Sequence, residues 1–255
     1  MNPYLPRIIQ DAERRAELLE VNQVSDSQSE QYGGFVDEKH WTQPKTTIYK
    51  LTTLLSLYNT PQSRYYHSAE AMQKIQSALD YVIRFQHEDG TFDYINCNFH
   101  SAPDTAFCVK RLLPSWLYLE KNCSDARNKE AFGKISGILR RAAEGIRLGG
   151  FHTPNHRWAI ASVLMVCANR FHEEKFRVRA EEYLHEGIDC NQYGEFSERS
   201  SGNYNRINDE AMILLYEETG DRSYLDYAVR NMKMMLSYFE PDGSIFTKNS
   251  VRYDS

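Results

Sequence analysis

Two loops of the sequence carry more polar functional side chains than a turn or a helix cap requires. The first, at 149–158, reads GGFHTPNHRW, and the second, at 193–209, reads YGEFSERSSGNYNRIND. Turn glycines and a capping residue account for one or two positions in each loop. The remaining side chains indicate a binding or catalytic surface. They are His152, Asn155, His156 and Arg157 in the first loop, and Glu198, Arg199, Asn203, Tyr204, Asn205 and Arg206 in the second.

These residue types suit β-elimination on a uronic acid, in which a base removes the proton next to the carboxylate and the glycosidic oxygen leaves. Asn155, with Arg157 or Arg199, would neutralise the carboxylate and stabilise the enolate-like intermediate. His156 would act as the base, because imidazole titrates near neutral pH. Tyr204 would protonate the leaving oxygen or act as the base in its place. The other candidates, His152, Asn203, Arg206 and Trp158, are predicted to bind substrate, although a buried position in the core suits Trp158 at least as well.

The two loops belong to a repeat that runs along the whole chain. A glycine–aromatic turn recurs five times, and its phenylalanines stand 45 to 59 residues apart, at positions 35, 92, 151, 196 and 246. This spacing fits a unit of two helices and two loops. Each turn follows a helical pattern, and the first four also precede one, so chance is a poor explanation for the repeat.

The helices before and after the turns differ in kind. Those before them are amphipathic, as in 67–86 and 173–188, whereas those after them are nearly all apolar, as in WAIASVLMVCA at 158–168 and AMILLY at 211–216. A helix that is apolar all round is buried on all sides. The alternation therefore predicts an all-α fold with an outer and an inner layer of helices and almost no sheet, which is the arrangement of an α/α toroid.

The predicted helices form about four and a half hairpins in a single domain, 1–255. The pairs are 3–22 with 45–58, 67–87 with 103–121, 126–147 with 155–171, and 173–188 with 204–218, followed by an unpaired outer helix at 222–239. Pro114 is expected to kink its helix. The sequence thus predicts an incomplete toroid that lacks its last hairpin or hairpins.

Composition excludes several other classes of protein. The net charge is −5, no long apolar run is present, and no secretory signal is visible, so the sequence predicts a cytoplasmic protein that binds neither nucleic acid nor a membrane. Aromatic residues make up 13% of the chain, and the 17 tyrosines are suited to lining a sugar-binding cleft. No metal and no cofactor is predicted, because no ligand spacing is diagnostic. The five cysteines form no CxxC pair and are predicted to be reduced; they are Cys97, Cys108, Cys123, Cys167 and Cys190.

The helical repeat, the aromatic turns and the S-G-N-Y-N turn resemble the toroid domains of polysaccharide lyases, namely the chondroitin/hyaluronan lyase, heparinase II/III-like and alginate lyase groups. In the first group a Gly-Phe turn leads into a Gly-Asn-Tyr turn with a catalytic tyrosine, which implies that role for Tyr204. An earlier asparagine binds the substrate carboxylate, and N-H-R-W matches its position at Asn155. The family's catalytic histidine has no counterpart between Phe196 and Tyr204, so the imidazole would come from His152 or His156. The resemblance thus implies an acidic oligosaccharide or polysaccharide as the substrate.

Two alternatives remain open. A glycoside hydrolase of the unsaturated-glucuronyl type needs two carboxylates facing the sugar, and the turns offer Glu195, Glu198, Asp209 and Asp104. The third interpretation is a glycan-binding or scaffold fragment without catalysis. The sequence does not choose the glycan, the mode of cleavage or the oligomeric state.

Overall fold

The computed structural model describes residues 3–20, 22–123 and 125–251. The chain divides into two compact units, Met1–Gly145 and Ile146–Ser255, here called unit 1 and unit 2. Each unit consists mainly of helices connected by loops, and unit 1 also contains two short strands. No helix among the described residues has the length and apolar character needed to cross a membrane.

Unit 1 is formed by the first two hairpins and the helix that follows them. In chain order its elements are α1 (Leu5–Glu20), α2 (Pro44–Tyr58), α3 (Ala69–Arg84), the strands β1 (Phe92–Tyr94) and β2 (Asn98–Ser101), α4 (Ala102–Asn122) and α5 (Ala126–Leu148), whose last turn passes into unit 2.

Unit 2 contains four helices among its described residues. Its helices are α6 (Pro154–Phe171), α7 (Glu174–Leu184), α8 (Asn203–Thr219) and α9 (Arg222–Leu236). The central helix α6 packs against α7 and α8, and α8 packs against α9.

The predicted helix bounds are confirmed, since every observed helix within the described residues coincides with a predicted one to within a few residues. Of the predicted pairs, α1 and α2 pack against each other. The all-α class is confirmed as well, because helices account for more than half of the chain. One small correction concerns sheet content: β1 and β2 form a two-stranded antiparallel sheet in the second turn. Pro114 lies inside α4, which continues past it to Asn122.

The prediction of wholly buried inner helices is correct for α6 and only partly correct for α8. In α6 every residue from Arg157 to Ala168 is buried. In α8, Ala211, Met212 and Leu215 are buried, but Ile213 is 38% exposed. One side of α8 therefore faces solvent, and an apolar stretch of six residues did not reveal this because it is too short to distinguish the sides of a helix.

Four of the five glycine–aromatic turns contain a glycine with a positive φ. Gly33, Gly90, Gly194 and Gly243 all have φ between 84° and 95°, in the left-handed region that favours glycine. A Cβ at Gly33, Gly90 or Gly194 would lie within 2.3 Å of a helix carbonyl oxygen, namely that of Ser77 in α3, Arg141 in α5 or Arg230 in α9. These three turns therefore pack directly on helix backbone, and this contact fixes the position of each loop.

Side chains hold the turns in a repeated manner. The backbone N–H of Phe35 donates to Thr47 Oγ1 at 3.0 Å, and that of Phe92 donates to Thr105 Oγ1 at 2.7 Å. Both threonines lie in the first turns of inner helices. Each link ties a turn to the helix that it introduces, so the repeat seen in the sequence is a repeat of contacts as well.

The third turn, at 149–151, is built differently. Neither of its glycines has a positive φ, and Phe151 is 48% exposed. A Cβ at Gly150 would lie 2.4 Å from the hydroxyl oxygen of Tyr183. Close packing explains this glycine, and the loop after it is left open for other contacts.

Candidate functional site

The two polar loops meet in unit 2, as predicted for neighbouring hairpins. The backbone N–H of Asn155, in the first turn of α6, donates to Glu198 Oε2 at 2.8 Å. Asn155 is 3% exposed and Glu198 is 7% exposed, so the contact is shielded from solvent. The N-termini of α6 and α8 therefore lie at the same end of unit 2, where the helix dipoles favour negative charge.

The side-chain amide of Asn155 is not used by the fold. It makes no hydrogen bond to any residue within 3–20, 22–123 or 125–251, and its Oδ1 is buried. An unpartnered buried amide costs free energy of folding, typically about 1 to 3 kcal/mol. A ligand that accepts from or donates to this amide would supply the hydrogen bonds that the fold leaves unmade.

His156 and Tyr204, the predicted base and acid, lie in the first turns of the two helices. His156 is half-buried, and its ring packs against Phe151 with 4.9 Å between ring centroids. Tyr204 is also half-buried, and its backbone N–H donates to Ser200 Oγ at 3.2 Å. The structure thus places both at the polar end of unit 2, and their catalytic roles stay predictions.

Arg157 has partners that the sequence did not indicate. Its guanidinium pairs with Glu186 Oε2 and Asp189 Oδ2, both at 2.8 Å, and donates to the Gly187 carbonyl at 3.0 Å. The side chain is only 6% exposed. Two protein carboxylates thus neutralise this arginine and fix the loop after α7, and the contact of Arg157 with a substrate carboxylate stays a prediction.

His152 shares one of these carboxylates. Its Nδ1 lies 2.7 Å from Glu186 Oε1, and its side chain is 72% exposed. Burial acts to raise the pKa of Glu186, but the His152 hydrogen bond and the Arg157 charge outweigh it and lower that pKa below its ordinary value. His152 therefore stays at the surface of the site, held by an ionised glutamate.

The cations of the second loop differ in their availability. Arg206 pairs with Glu210 at 2.7 Å and donates to Asn203 Oδ1 at 3.1 Å, so both of these predicted binding residues are engaged along α8. Arg199 is exposed and makes no ion pair with any residue that the structure describes. Two further basic residues stand near the end of the sequence: Lys248 is exposed, and Arg252 lies outside the described residues. Arg199 is thus the cation of this loop best placed to meet an anionic ligand.

Trp158 is corrected from a substrate-binding residue to a core residue. It is 0% exposed, and its ring packs against Phe196 with centroids 5.2 Å apart. A fully buried ring has no face on which a sugar could stack. The core placement follows from the apolar run that begins at this residue.

The carboxylates proposed for a hydrolase are distributed over both units. In unit 2, Glu195 accepts hydrogen bonds from Tyr238 at 3.2 Å and from Asn249 at 3.3 Å, whereas Glu198 and Asp209 are buried. In unit 1, Asp104 is also buried. It accepts hydrogen bonds from Ser101 at 2.7 Å and Asn98 at 3.0 Å, and it lies 3.6 Å from Lys45 Nζ.

Asp209 belongs to a buried polar layer along one side of α8. Asn205, Asn208 and Asn231 are all at most 1% exposed, and Asn231 Nδ2 donates to Asn205 Oδ1 at 3.2 Å. Neither side-chain atom of Asn208, nor Asp209 Oδ1, has a partner among the described residues. Burial, with a smaller contribution from the charge of Glu210, raises the pKa of Asp209 to about 7.

This raised pKa predicts a pH-dependent effect of Asp209→Asn. Folded Asp209 keeps its proton up to about pH 7, whereas the unfolded chain releases it near its ordinary value of 3.8. The wild-type free energy of unfolding therefore falls as the pH rises between these values, and the asparagine variant escapes that loss. We expect the variant to be more stable than the wild type at pH 8 by about 1 to 2 kcal/mol. The pKa shift taken at face value corresponds to about 4 kcal/mol, and the expected difference is smaller because solvent screens the charge.

Urea unfolding of both proteins at pH 4 and pH 8 measures this difference. The two proteins should be nearly equal at pH 4. An equal difference at both pH values would show that Asp209 does not titrate as the buried geometry requires.

A groove on the surface of unit 2 does not hold these residues. It lies between α7 and the start of α9, has a volume of about 320 Å³ and is lined by Met165, Glu181, Leu184, His185, Thr219, Asp221 and Tyr224. The candidate site is instead the end of unit 2 where the two polar loops meet. That end carries the exposed Arg199 and the buried amide oxygen of Asn155, which has no partner among the described residues.

Comparison with known proteins leaves the family open. The chain matches no protein-family model, and no curated protein matches it significantly.

Sequence reasoning missed Glu186 and Asp189, which bind Arg157. Both lie in HEGID, directly after an outer helix, where Gly187 adopts a φ of 82°. The sequence did offer one indication of this pairing. Glu186 and Asp189 flank a turn glycine, and the neighbouring loop at 149–158 carries basic residues without an acidic one.

Proposed function

We propose that unit 2 binds a uronic-acid-containing glycan at its polar end, defined by Asn155, His156, Arg199 and Tyr204, and cleaves it by β-elimination. The observation that carries this proposal is the contact between Asn155 and Glu198, which joins the two polar loops. Asn155, the proposed carboxylate-binding residue, and Tyr204, the proposed catalytic residue, lie in the first turns of α6 and α8, and these helices pack against each other.

The reaction needs three things from the protein. A base takes the proton on the carbon next to the carboxylate, the electron pair of that bond forms a double bond in the ring, and the glycosidic oxygen leaves with a proton from an acid. The carboxylate must be neutralised while this happens, because its charge makes the departing proton only weakly acidic. Preorganised donors supply this stabilisation more effectively than water does.

Asn155 and Arg199 fit the carboxylate-binding role. The Asn155 amide has no partner within the described residues, and Arg199 is the exposed cation of the adjoining loop. Arginine binds carboxylates through two parallel hydrogen bonds, so a local cation can select uronates despite the net charge of −5.

His156 and Tyr204 fit the proton-transfer roles. His156 follows Asn155 directly, so a base stands beside the residue that binds the carboxylate. Tyr204 is half-buried at the N-terminus of α8, where the helix dipole favours any negative charge that develops on the phenol or on the leaving oxygen. In this proposal His156 takes the proton from the carbon next to the carboxylate, and Tyr204 donates a proton to the leaving glycosidic oxygen.

A hydrolase is the second candidate, and Asp209 is the observation that favours it. A general acid for glycoside hydrolysis must hold its proton near neutral pH, and burial raises the pKa of Asp209 to about 7. Glu198, buried at the junction of the loops, would be the second carboxylate. Under this alternative Asp209→Asn abolishes cleavage, whereas the lyase proposal expects Asp209→Asn to retain it.

Calorimetric titration with uronic-acid oligosaccharides and with neutral oligosaccharides tests the binding part of the proposal. We expect the acidic glycans to bind more tightly, the affinity to fall with added salt, and Arg199→Gln to weaken binding about 10-fold or more, the value of one charge-assisted hydrogen bond. Arg222→Gln is the matched control, because that side chain is 81% exposed at the start of α9.

Equal affinity for neutral and acidic glycans would contradict the proposal. So would an unchanged affinity in Arg199→Gln. Tight binding without any cleavage would support the non-catalytic alternative.

A further inference from the structure

A compact cluster of histidine and aspartate side chains lies in unit 1, in the turn between α3 and α4. His87, Asp93 and His100 each place one ligand atom so that all three atoms lie within 4.8 Å of one another. None of these residues belongs to the site proposed above. The turn is DGTFDY, the second glycine–aromatic turn of the repeat, together with the two strands that follow it.

The two-stranded sheet brings the cluster together. Phe92 pairs with Ser101 and Tyr94 pairs with Asn98, so Asp93 and His100 stand on facing strands. The backbone N–H of His100 donates to Asp93 Oδ1 at 2.8 Å, which holds His100 at a φ of 47°. A non-glycine residue in this left-handed region is uncommon and costs about 1 to 3 kcal/mol. In this conformation the ring of His100 stacks on that of His87.

His87 completes the cluster from the loop that follows α3. Its Nε2 lies 2.8 Å from Asp93 Oδ1, and its ring stacks on the ring of His100 with centroids 3.8 Å apart. Two imidazoles and one carboxylate are thus assembled within a single turn. These are ligand types that divalent transition-metal ions use in proteins.

Asp89 supplies the support that a metal-binding histidine requires. Its Oδ2 lies 2.7 Å from His100 Nδ1, and its Oδ1 accepts hydrogen bonds from the Thr91 backbone N–H at 2.9 Å and from the Thr91 hydroxyl at 2.6 Å. A carboxylate bound to one ring nitrogen fixes the tautomer and leaves the other nitrogen as a metal ligand. His100 Nε2 makes no hydrogen bond to any described part of the chain.

We propose that this turn binds one divalent transition-metal ion of the Zn²⁺ class through His87, Asp93 and His100, with Asp89 orienting His100. With both imidazoles neutral, the two aspartates give the cluster a charge of about −2, which matches a divalent cation. The mixture of nitrogen and oxygen ligands favours Zn²⁺ over Ca²⁺ or Mg²⁺, since these hard cations take oxygen ligands.

Binding requires a small closure of the cluster. Ligand atoms of a tetrahedral zinc ion lie about 3.3 Å apart, given zinc–ligand bonds of about 2.0 to 2.1 Å. The stacked rings must rotate so that their nitrogen lone pairs converge on one point. The side chain of His100 is 57% exposed and that of His87 is 31% exposed, so solvent surrounds the rings and leaves room for this rotation.

A purely structural clasp is the competing explanation, in which the same hydrogen bonds only brace the turn. Calorimetric titration of the intact chain with Zn²⁺ separates the two. We expect one ion per chain, a loss of this binding in His87→Ala and in His100→Ala, and an affinity about 10- to 100-fold lower in Asp89→Asn, the range for removal of a carboxylate that orients a ligand. Circular dichroism checks that the variants keep their helices.

Two controls make the test specific. His185→Ala removes an exposed histidine of unit 2 and should leave Zn²⁺ binding unchanged. Cys97→Ser removes the exposed thiol in the same turn and should also leave it unchanged. The proposal is overturned if the intact chain takes up no Zn²⁺, if the variant lacking both His87 and His100 binds as the wild type does, if Cys97→Ser abolishes binding, or if Ca²⁺ binds equally well.

Discussion

Tyr204→Phe should lower the rate of β-elimination on a uronic-acid glycan about 10³-fold, within the range that general acid–base catalysis supplies. The substitution removes only the phenolic hydroxyl. The backbone N–H of Tyr204, which donates to Ser200 Oγ, is unchanged by the substitution. Steady-state rates on the same glycan, with thermal unfolding as a check on the fold, measure the effect.

Tyr193→Phe is the matched control for this experiment. Tyr193 lies in the same loop and is 73% exposed, so loss of its hydroxyl should leave the rate within about twofold of wild type. Equal activity of Tyr204→Phe and wild type would remove Tyr204 from the mechanism. An equal loss in both variants would point to damage to the loop instead of the loss of a catalytic group.

Gly90→Ala should lower the free energy of unfolding by about 3 kcal/mol, the combined cost of a strained φ and a displaced contact. Gly90 has a φ of 85°, and a Cβ there would lie 1.9 Å from the Arg141 carbonyl oxygen. Because that neighbour is helix backbone, the whole turn must move. Urea unfolding measures the change.

Gly133→Ala is the control for this second prediction. Gly133 lies in α5, and nothing stands within 4 Å of the position that its Cβ would take. Alanine is the better helix former by about 1 kcal/mol, so this variant should be slightly more stable than wild type. If Gly90→Ala were also neutral, the turns would not be held by contact with the next outer helix.

The helices could be predicted from the sequence because their signals are local. Amphipathic and wholly apolar segments alternate, and a glycine–aromatic turn separates each pair, so the bounds of α3 and α6 follow from short stretches of chain. The positive φ of Gly194 likewise fits its place in a predicted turn. The toroid itself depends on how hairpins close around one another, and it stays a prediction.

The candidate site was predicted less completely, because its side chains choose partners far away along the chain. Arg157 reaches Glu186 and Asp189, about 30 residues later, and no local pattern encodes that choice. Trp158 is next to Arg157 and lies wholly in the core, so neighbours in sequence fill unlike roles. The pairing of His87 with His100 depends on a sheet of two short strands. Strands of three or four residues are too short to show the alternation of polar and apolar residues from which a strand is predicted.

Cleavage of a uronic-acid glycan in ¹⁸O-labelled water, followed by mass spectrometry of the products, tests the central claim most directly. β-Elimination breaks the glycosidic bond without adding water, so the account predicts an unsaturated product that carries no label from the solvent. That product should absorb in the ultraviolet and should be lost in Tyr204→Phe. A saturated product that has gained one labelled oxygen would contradict the account and establish hydrolysis, with Asp209 and Glu198 as the carboxylates to test next.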